Sequence, residues 1–157
     1  MTIVDNDIVS VSNRNRQLLA LKSTEGAEKV DAMAKRLLDI NPNLELIKYR
    51  TYLKDSVISK VMESPYDYVI DAIDTLSPKL FFIKNSMERK LPLVSSMGAG
   101  GRLDPSQIKI ADVSKSYGCP FAQVIRKKLH GWEIRSGFKV IFSLSEIESF
   151  DTYMSNG

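Results

Sequence analysis

The stretch that decides the fold is "TIVDNDIVSVSNRNRQL", residues Thr2 to Leu18. It begins as a short apolar strand that reaches two acids, Asp5 and Asp7, and then becomes a polar segment that carries Arg14 and Arg16. Packing alone does not require carboxylates at a strand end with arginines just beyond them. A bound nucleotide explains both, because a carboxylate accepts hydrogen bonds from ribose hydroxyls and a guanidinium binds phosphate.

The composition indicates one globular domain or part of one. The chain has 157 residues, of which 43% are hydrophobic and 26% are charged, and its net charge is only +3. This small excess permits a nucleic-acid partner without arguing for one. A single cysteine, Cys119, excludes an intrachain disulfide and a four-cysteine zinc site. We see no signal peptide and no apolar run near the ~20 residues of a membrane helix, so we expect a soluble, cytoplasmic protein.

Strand patterns alternate with helix patterns along the chain. We predict strands in "TIVD", "LELIKYR", "YDYVIDAID", "LPLVSSM", "QIKIADV" and "FKVIFS". We predict helices in "GAEKVDAMAKRLLDINP", "SVISKVMES", "SPKLFFIKNSMERK" and "CPFAQVIRKKLHGW". The third strand should end near Asp74, and the third helix should begin with Ser77 as its cap and Pro78 at its first position. The alternation predicts an α/β fold with a mostly parallel sheet, whose ligand lies beyond the carboxyl ends of the strands.

Several charged residues are candidates for that ligand site, and each has a structural alternative. Asp5 and Asp7 either hold a ribose or cap a local turn. The arginines bind phosphate or remain solvated. Lys29 meets a phosphate or is a surface helix lysine. Asp74 could hold Mg²⁺, which prefers one or two carboxylates plus phosphate oxygens.

Three other features favour structural interpretations. Asp71 lies inside a strand and needs a partner if it is buried. Cys119 precedes a helix, where thiol pKa values fall, but we favour a small buried or capping residue over a nucleophile. The glycines of "GAGG", residues 98–101, match neither GxGxxG nor the phosphate loop.

Four segments in order, "VDNDIVSVSNRNRQ", "GAEKV", "DINP" and "YVIDAIDT", resemble the adenylating family of ThiF, MoeB, HesA and the ubiquitin-activating enzymes. Three more, "IDAIDTLSPK", "PLVSSMGAGGRLDPSQIKIADVSKS" and "CPFAQVIRKKL", resemble its tRNA threonylcarbamoyladenosine dehydratase branch. The resemblance runs from about Thr2 to Leu129. It implies a Rossmann-like three-layer fold and an enzyme that uses ATP to activate a carboxylate and cyclise threonylcarbamoyladenosine in tRNA.

The resemblance also implies roles for particular residues. Asp5 holds the ribose, Asn13 and Arg16 contact the ATP phosphates, and Gln17 supports their loop. Lys29 contacts phosphate, and Asp74 binds Mg²⁺. Catalysis then rests on positioning and charge neutralisation, with Arg16 and Asp74 as the catalytic residues. The family resemblance further implies a homodimer that acts on tRNA.

The sequence departs from the family at both ends. The family's first strand, glycine-rich turn and helix have no counterpart, so "TIVD" and "YVIDAID" should lack their shared neighbour strand. Either the chain is a fragment, or another segment or subunit completes the sheet, or the sheet closes differently. We expect residues 1–143 to form a partial adenylating domain and residues 144–157 a tail.

Three other functions compete with tRNA cyclisation. One is activation of a ubiquitin-like or sulfur-carrier protein, which the lack of paired CxxC motifs disfavours. A second is a non-catalytic remnant, which the absent glycine loop favours. A nicotinamide-dependent oxidoreductase is the weakest, because the arginine segment has no role in it.

Overall fold

The structure, a computed structural model, describes residues 1–145. Most of the predicted tail, 144–157, therefore lies outside the described residues, of which Leu144 and Ser145 are the last. The chain divides into two compact units, Met1–Val57 and a second that begins at Ile58. Among the described residues, no helix has the length and apolar character needed to cross a membrane.

The first unit is built around one parallel strand pair. Strand β1 (Thr2–Val4) pairs with β2 (Ile47–Tyr49), and helix α1 (Lys29–Ile40) lies between them in sequence. A long loop leads from β1 to α1. The apolar residues that α1 and this loop bury are Val9, Ala20, Val30 and Ala34. Their small size lets the loop lie close to the helix.

The second unit contains a four-stranded sheet. Strands β3 (Val69–Asp71), β4 (Leu93–Ser96), β5 (Ile108–Asp112) and β6 (Lys139–Ser143) are arranged in the order β3-β4-β6-β5. The first three in that order are parallel, and β5 is antiparallel to β6. Helices α3 (Leu76–Glu88) and α4 (Pro120–His130) supply core side chains, among them Ile83, Ile125 and Leu129, which are fully buried. Helix α2 spans Asp55–Val61.

The predicted α/β class and the mostly parallel strand pairing are confirmed. Every predicted strand and helix is present. In the described residues β1 pairs only with β2, and β3 pairs only with β4 among the strands. This agrees with the expectation that "TIVD" and "YVIDAID" do not share a neighbour.

Two predicted boundaries are wrong. Strand β3 ends at Asp71 rather than near Asp74, because the Asp71 carboxylate accepts a hydrogen bond from the Ile73 N–H and turns the chain. Helix α3 begins at Leu76 with Thr75 as its N-cap, not with Ser77. Pro78 is tolerated in this first turn because N–H groups there have no intrahelical partner.

Candidate functional site

The loop between β1 and α1 is closed at its base by backbone hydrogen bonds. The Lys29 N–H donates to the Asp7 carbonyl at 2.9 Å, and the Val9 N–H donates to Ala27 at 2.8 Å. The Gly26 N–H returns to Val9 at 2.9 Å, with a φ of +80° that favours glycine. These bonds close the base of the loop and fix the two ends of residues 10–25 next to each other.

Asp5 and Asp7 lie at the start of this loop. One Asp5 carboxylate oxygen accepts the Asp7 N–H at 2.8 Å, so the local turn-capping role is realised. The Asp7 carboxylate forms an ion pair with the Lys29 ammonium at 2.7 Å. Lys29 is buried while Asp7 is 58% exposed, so the surface-lysine interpretation of Lys29 is wrong. Burial of the lysine stem is tolerated because its charge is paired.

Asn13 and Gln17 shape the turn that precedes the arginine. Asn13 is buried at the end of a 3-10 turn, Val11–Asn13, and its side-chain oxygen accepts the Ser10 N–H at 3.1 Å. The Gln17 N–H donates to the Asn13 carbonyl at 2.9 Å, and the Gln17 carbonyl accepts from Ala20. Asn13 therefore acts first as a structural anchor of this loop, and Gln17 continues the turn.

The two loop arginines differ in how their charge is balanced. Arg14 forms an ion pair with Glu25 across the loop. Arg16 is exposed and donates to the Ser12 carbonyl and to Asn15, both at 2.9 Å, and both acceptors are neutral. Among the side chains that the structure describes, the ion pairs do not include Arg16. Arg16 is thus an exposed cation whose described acceptors are neutral, a state suited to anion binding.

In the second unit, the turn between β3 and α3 is held by a buried ion pair. The Asp71 carboxylate and the Lys79 ammonium are 2.8 Å apart, and both side chains are fully buried. Lys79 also donates to the Ile73 carbonyl at 2.8 Å. The Ser95 hydroxyl on β4 donates to Asp71 at 2.6 Å. The prediction that a buried Asp71 needs a partner is confirmed.

Burial and nearby carboxylates shift the pKa of Lys79 in opposite directions. Burial lowers the pKa of its ammonium from the ordinary lysine value, while the charges of Asp71 and Asp74 act to raise it. The ring of Phe121 lies 5.9 Å from the ammonium nitrogen and adds a further favourable contact for the cation.

Asp74 lies one residue beyond this buried network and is exposed. It borders a cleft at the carboxyl ends of β3 and β4, together with Ser96, Met97 and Phe121. No cluster of three or more metal-ligating side chains exists in the described part of the chain. A single carboxylate with phosphate oxygens and water is nonetheless a donor set that Mg²⁺ accepts, so Asp74 fits a metal shared with a nucleotide.

Five of the predicted site residues lie in the first unit, and Asp74 lies in the second. The five are Asp5, Asn13, Arg16, Gln17 and Lys29. Cys119 is buried at the N-cap of α4, as the structural interpretation predicts. Lys79 and Ser95 were missed. A lysine directly before the apolar run "LFFI" was the available signal for Lys79, since Asp71 needed a partner.

Comparison with known proteins identifies close relatives. The chain is 44% identical over 141 residues to the tRNA threonylcarbamoyladenosine dehydratase of Bacillus subtilis, covering 90% of this chain and 56% of that protein. The crystal structure of E. coli tRNA N6-threonylcarbamoyladenosine dehydratase, TcdA, in complex with ATP matches with a TM-score of 0.90 and 33% identity, covering 96% of this chain and 65% of that one. The adenylyltransferase and sulfurtransferase MOCS3 of Culex quinquefasciatus is more distant, at 34% over 93 residues, 59% of this chain and 21% of that protein.

The chain spans about half the length of the curated relatives it matches. The match to the family model covers most of this chain. It covers residues 1–139, which include both loops described above. The TcdA structures have the same Rossmann-like arrangement. The chain belongs to the ThiF family.

Proposed function

We propose that this chain takes part in the ATP-dependent cyclisation of threonylcarbamoyladenosine in tRNA. The observation that carries the proposal is its 44% identity, along 90% of the chain, to a tRNA threonylcarbamoyladenosine dehydratase. The exposed Arg16 supports it, because its described acceptors are neutral and a site for triphosphate needs available positive charge. Residues 1–143 form the adenylating part in this proposal.

The loop of the first unit supplies the nucleotide contacts. Asp5 keeps one carboxylate oxygen on the Asp7 N–H and turns its other oxygen to the ribose hydroxyls. Arg16 and the side-chain amide of Asn13 contact phosphate oxygens, and Gln17 holds their turn. Lys29 exchanges part of its contact with Asp7 for phosphate. These roles need no change of fold, because backbone hydrogen bonds already hold the loop base.

Asp74 takes the metal role in the second unit. A bound Mg²⁺ would neutralise charge on the phosphates and favour departure of pyrophosphate. Asp74 would hold it as the single protein carboxylate. The Ile73 N–H donates to Asp71, and Lys79 donates to the Ile73 carbonyl, so the backbone next to Asp74 is held at the cleft.

The proposed chemistry balances without a protein nucleophile. A substrate carboxylate oxygen attacks the α-phosphorus of ATP, and the bond to pyrophosphate breaks. The activated carbonyl is then attacked by the modified side chain itself, and AMP leaves with the original carboxylate oxygen. The net change to the nucleoside is the loss of one water. Buried Cys119 has no part in these steps.

The test is pyrophosphate release by the chain with ATP, Mg²⁺ and tRNA that carries threonylcarbamoyladenosine. We expect release that depends on the modified tRNA, with a matching mass loss of one water from the nucleoside. Unmodified tRNA of the same sequence is the control. Equal release with a sulfur-carrier protein and none with modified tRNA would instead support the carrier-activating function.

We also propose that the active form is a cytoplasmic homodimer, as the family resemblance implies. Light scattering coupled to size-exclusion chromatography measures the mass in solution. A mass of one 17.7 kDa chain across the concentration range would contradict the dimer.

A further inference from the structure

The backbone of Ile73 is held from both sides by one buried ion pair. Asp71 accepts the Ile73 N–H at 2.9 Å, and Lys79 donates to the Ile73 carbonyl at 2.8 Å. That carbonyl belongs to the peptide unit that continues into Asp74. The N–H belongs to the preceding Ala72–Ile73 peptide, so the two peptide units before Asp74 are each fixed by one side chain that solvent does not reach.

The same pair is tied to the neighbouring strand and helix. The Ser95 hydroxyl on β4 donates to the Asp71 oxygen that faces Lys79, at 2.6 Å. Lys79 lies in the first turn of α3, and its N–H donates to the Thr75 carbonyl at 3.3 Å. A strand, a helix and a turn thus meet at one ion pair, which holds the backbone next to the exposed Asp74.

Stability alone does not account for an ion pair at this place. Desolvation of two charges offsets most of their attraction, so apolar residues of similar volume often stabilise a core equally well. Here, however, the pair satisfies a backbone N–H and a backbone carbonyl that an apolar replacement would leave without partners. The gain from keeping the charges is a defined backbone geometry.

We propose that Lys79 and Asp71 are positioning residues, which hold the Ile73–Asp74 peptide so that the Asp74 carboxylate faces the cleft in a geometry suited to a nucleotide-bound Mg²⁺. This inference rests on the proposed function for the role of Asp74. Neither residue touches the ligand, because both side chains are fully buried. Their effect is transmitted through the Ile73 backbone.

The experiment uses the double variant Asp71→Asn/Lys79→Met. The two replacements keep volume and remove both charges together, and the asparagine oxygen can still accept the Ile73 N–H. The Ile73 carbonyl loses its partner, and the Ser95 hydroxyl, which donates to Asp71 in the wild type, instead accepts from the asparagine amide. We expect the variant to fold, with faster amide hydrogen exchange confined to residues 72–76 of the ligand-free chain. We also expect the Mg²⁺ concentration that half-saturates thermal stabilisation by ATP to rise about 10–100-fold.

Lys84→Met is the matched control, because Lys84 lies on the same helix but contacts Glu88 and Trp132 instead. It should leave both measurements unchanged. Wild-type exchange at residues 72–76 in a folded double variant would overturn the inference. Should the double variant not fold, Ser95→Ala releases Asp71 from β4 without changing charge. Faster exchange at residues 72–76 in Ser95→Ala would then support the positioning role, and wild-type exchange would overturn it. Absence of any Mg²⁺–ATP stabilisation in the wild type would remove the proposed function, while hydrogen exchange would still decide the positioning role.

Discussion

The loop between β1 and α1 and the turn between β3 and α3 both present charged residues, but they are built differently. Backbone hydrogen bonds hold the base of the first loop, and its charged side chains are mostly exposed. The second is held by the Asp71–Lys79 pair, which is fully buried. In the first loop the backbone holds the charged side chains in place. In the second turn the charged side chains themselves hold the backbone in place.

This difference separates two kinds of sensitivity. Removing an exposed charge alters ligand binding while leaving stability nearly unchanged, because water and salt already screen it. Removing one partner of a buried pair leaves the other charged and unpaired, which destabilises the fold strongly. Single substitutions in each region test whether exposed charges affect mainly ligand binding and buried charges mainly stability.

The largest effect is expected for Lys79→Met alone. It leaves Asp71 buried without its counter-charge and should lower the free energy of unfolding by about 3–5 kcal/mol. Urea unfolding followed by the fluorescence of Trp132, the single tryptophan, measures this within the same unit. Lys84→Met should change it by less than about 1 kcal/mol, because its ion pair is partly exposed. Equal changes in the free energy of unfolding for the two variants would contradict the stabilising role of the buried pair.

The next effect is expected for Arg16→Ala, on activity instead of stability. Loss of one positioned phosphate donor should reduce pyrophosphate release about 100-fold, and the free energy of unfolding should stay within about 0.5 kcal/mol of wild type. Arg14→Ala is the matched control, because Glu25 already neutralises Arg14. A larger loss of activity in Arg14→Ala would reverse the assignment of the two arginines.

A smaller effect is expected for Asp7→Asn, which tests the one partly buried pair of the first loop. The variant leaves the buried Lys29 without its ion-pair partner and should destabilise the first unit by about 1–2 kcal/mol. Thermal unfolding followed by circular dichroism measures this. The exposed Asp39→Asn is the control. No destabilisation would mean that Lys29 reaches water or another acceptor on its own.

The smallest effect is expected for Asp31→Asn on α1. Hydrogen bonds from Lys48 and Arg50 lower the pKa of the Asp31 carboxyl from its ordinary value of 3.8. A lowered folded-state pKa contributes stability above the unfolded pKa, and this contribution is lost as pH falls through the folded value. Wild type and variant should differ slightly at neutral pH and low salt, and converge below pH 3.8. A difference that persists in acid would contradict this assignment.

The order of strands and helices was predictable from local patterns, while two boundaries were not. Alternating or continuous apolar runs mark strands and a 3.6-residue spacing marks helices, so local sequence suffices for element type. The end of β3 was misplaced because "VIDAID" remains apolar beyond Asp71. The turn there comes from an Asp71 side-chain hydrogen bond, which needs the burial of Asp71 and its contact with Lys79.

The candidate site likewise combines features that local sequence predicts with features that only tertiary contacts decide. The order of the quoted segments, from "VDNDIVSVSNRNRQ" to "CPFAQVIRKKL", determined the family. The acids, asparagine, arginine and lysine of the first 30 residues supplied most of the candidate nucleotide contacts. Only the tertiary structure decided that Arg14 is neutralised by Glu25, that Arg16 has neutral acceptors among the described residues, and that Lys29 is buried against Asp7. It also decided that Lys79 is buried against Asp71. These facts depend on which side chains burial and folding bring within a few ångströms, and separation along the chain does not specify that distance.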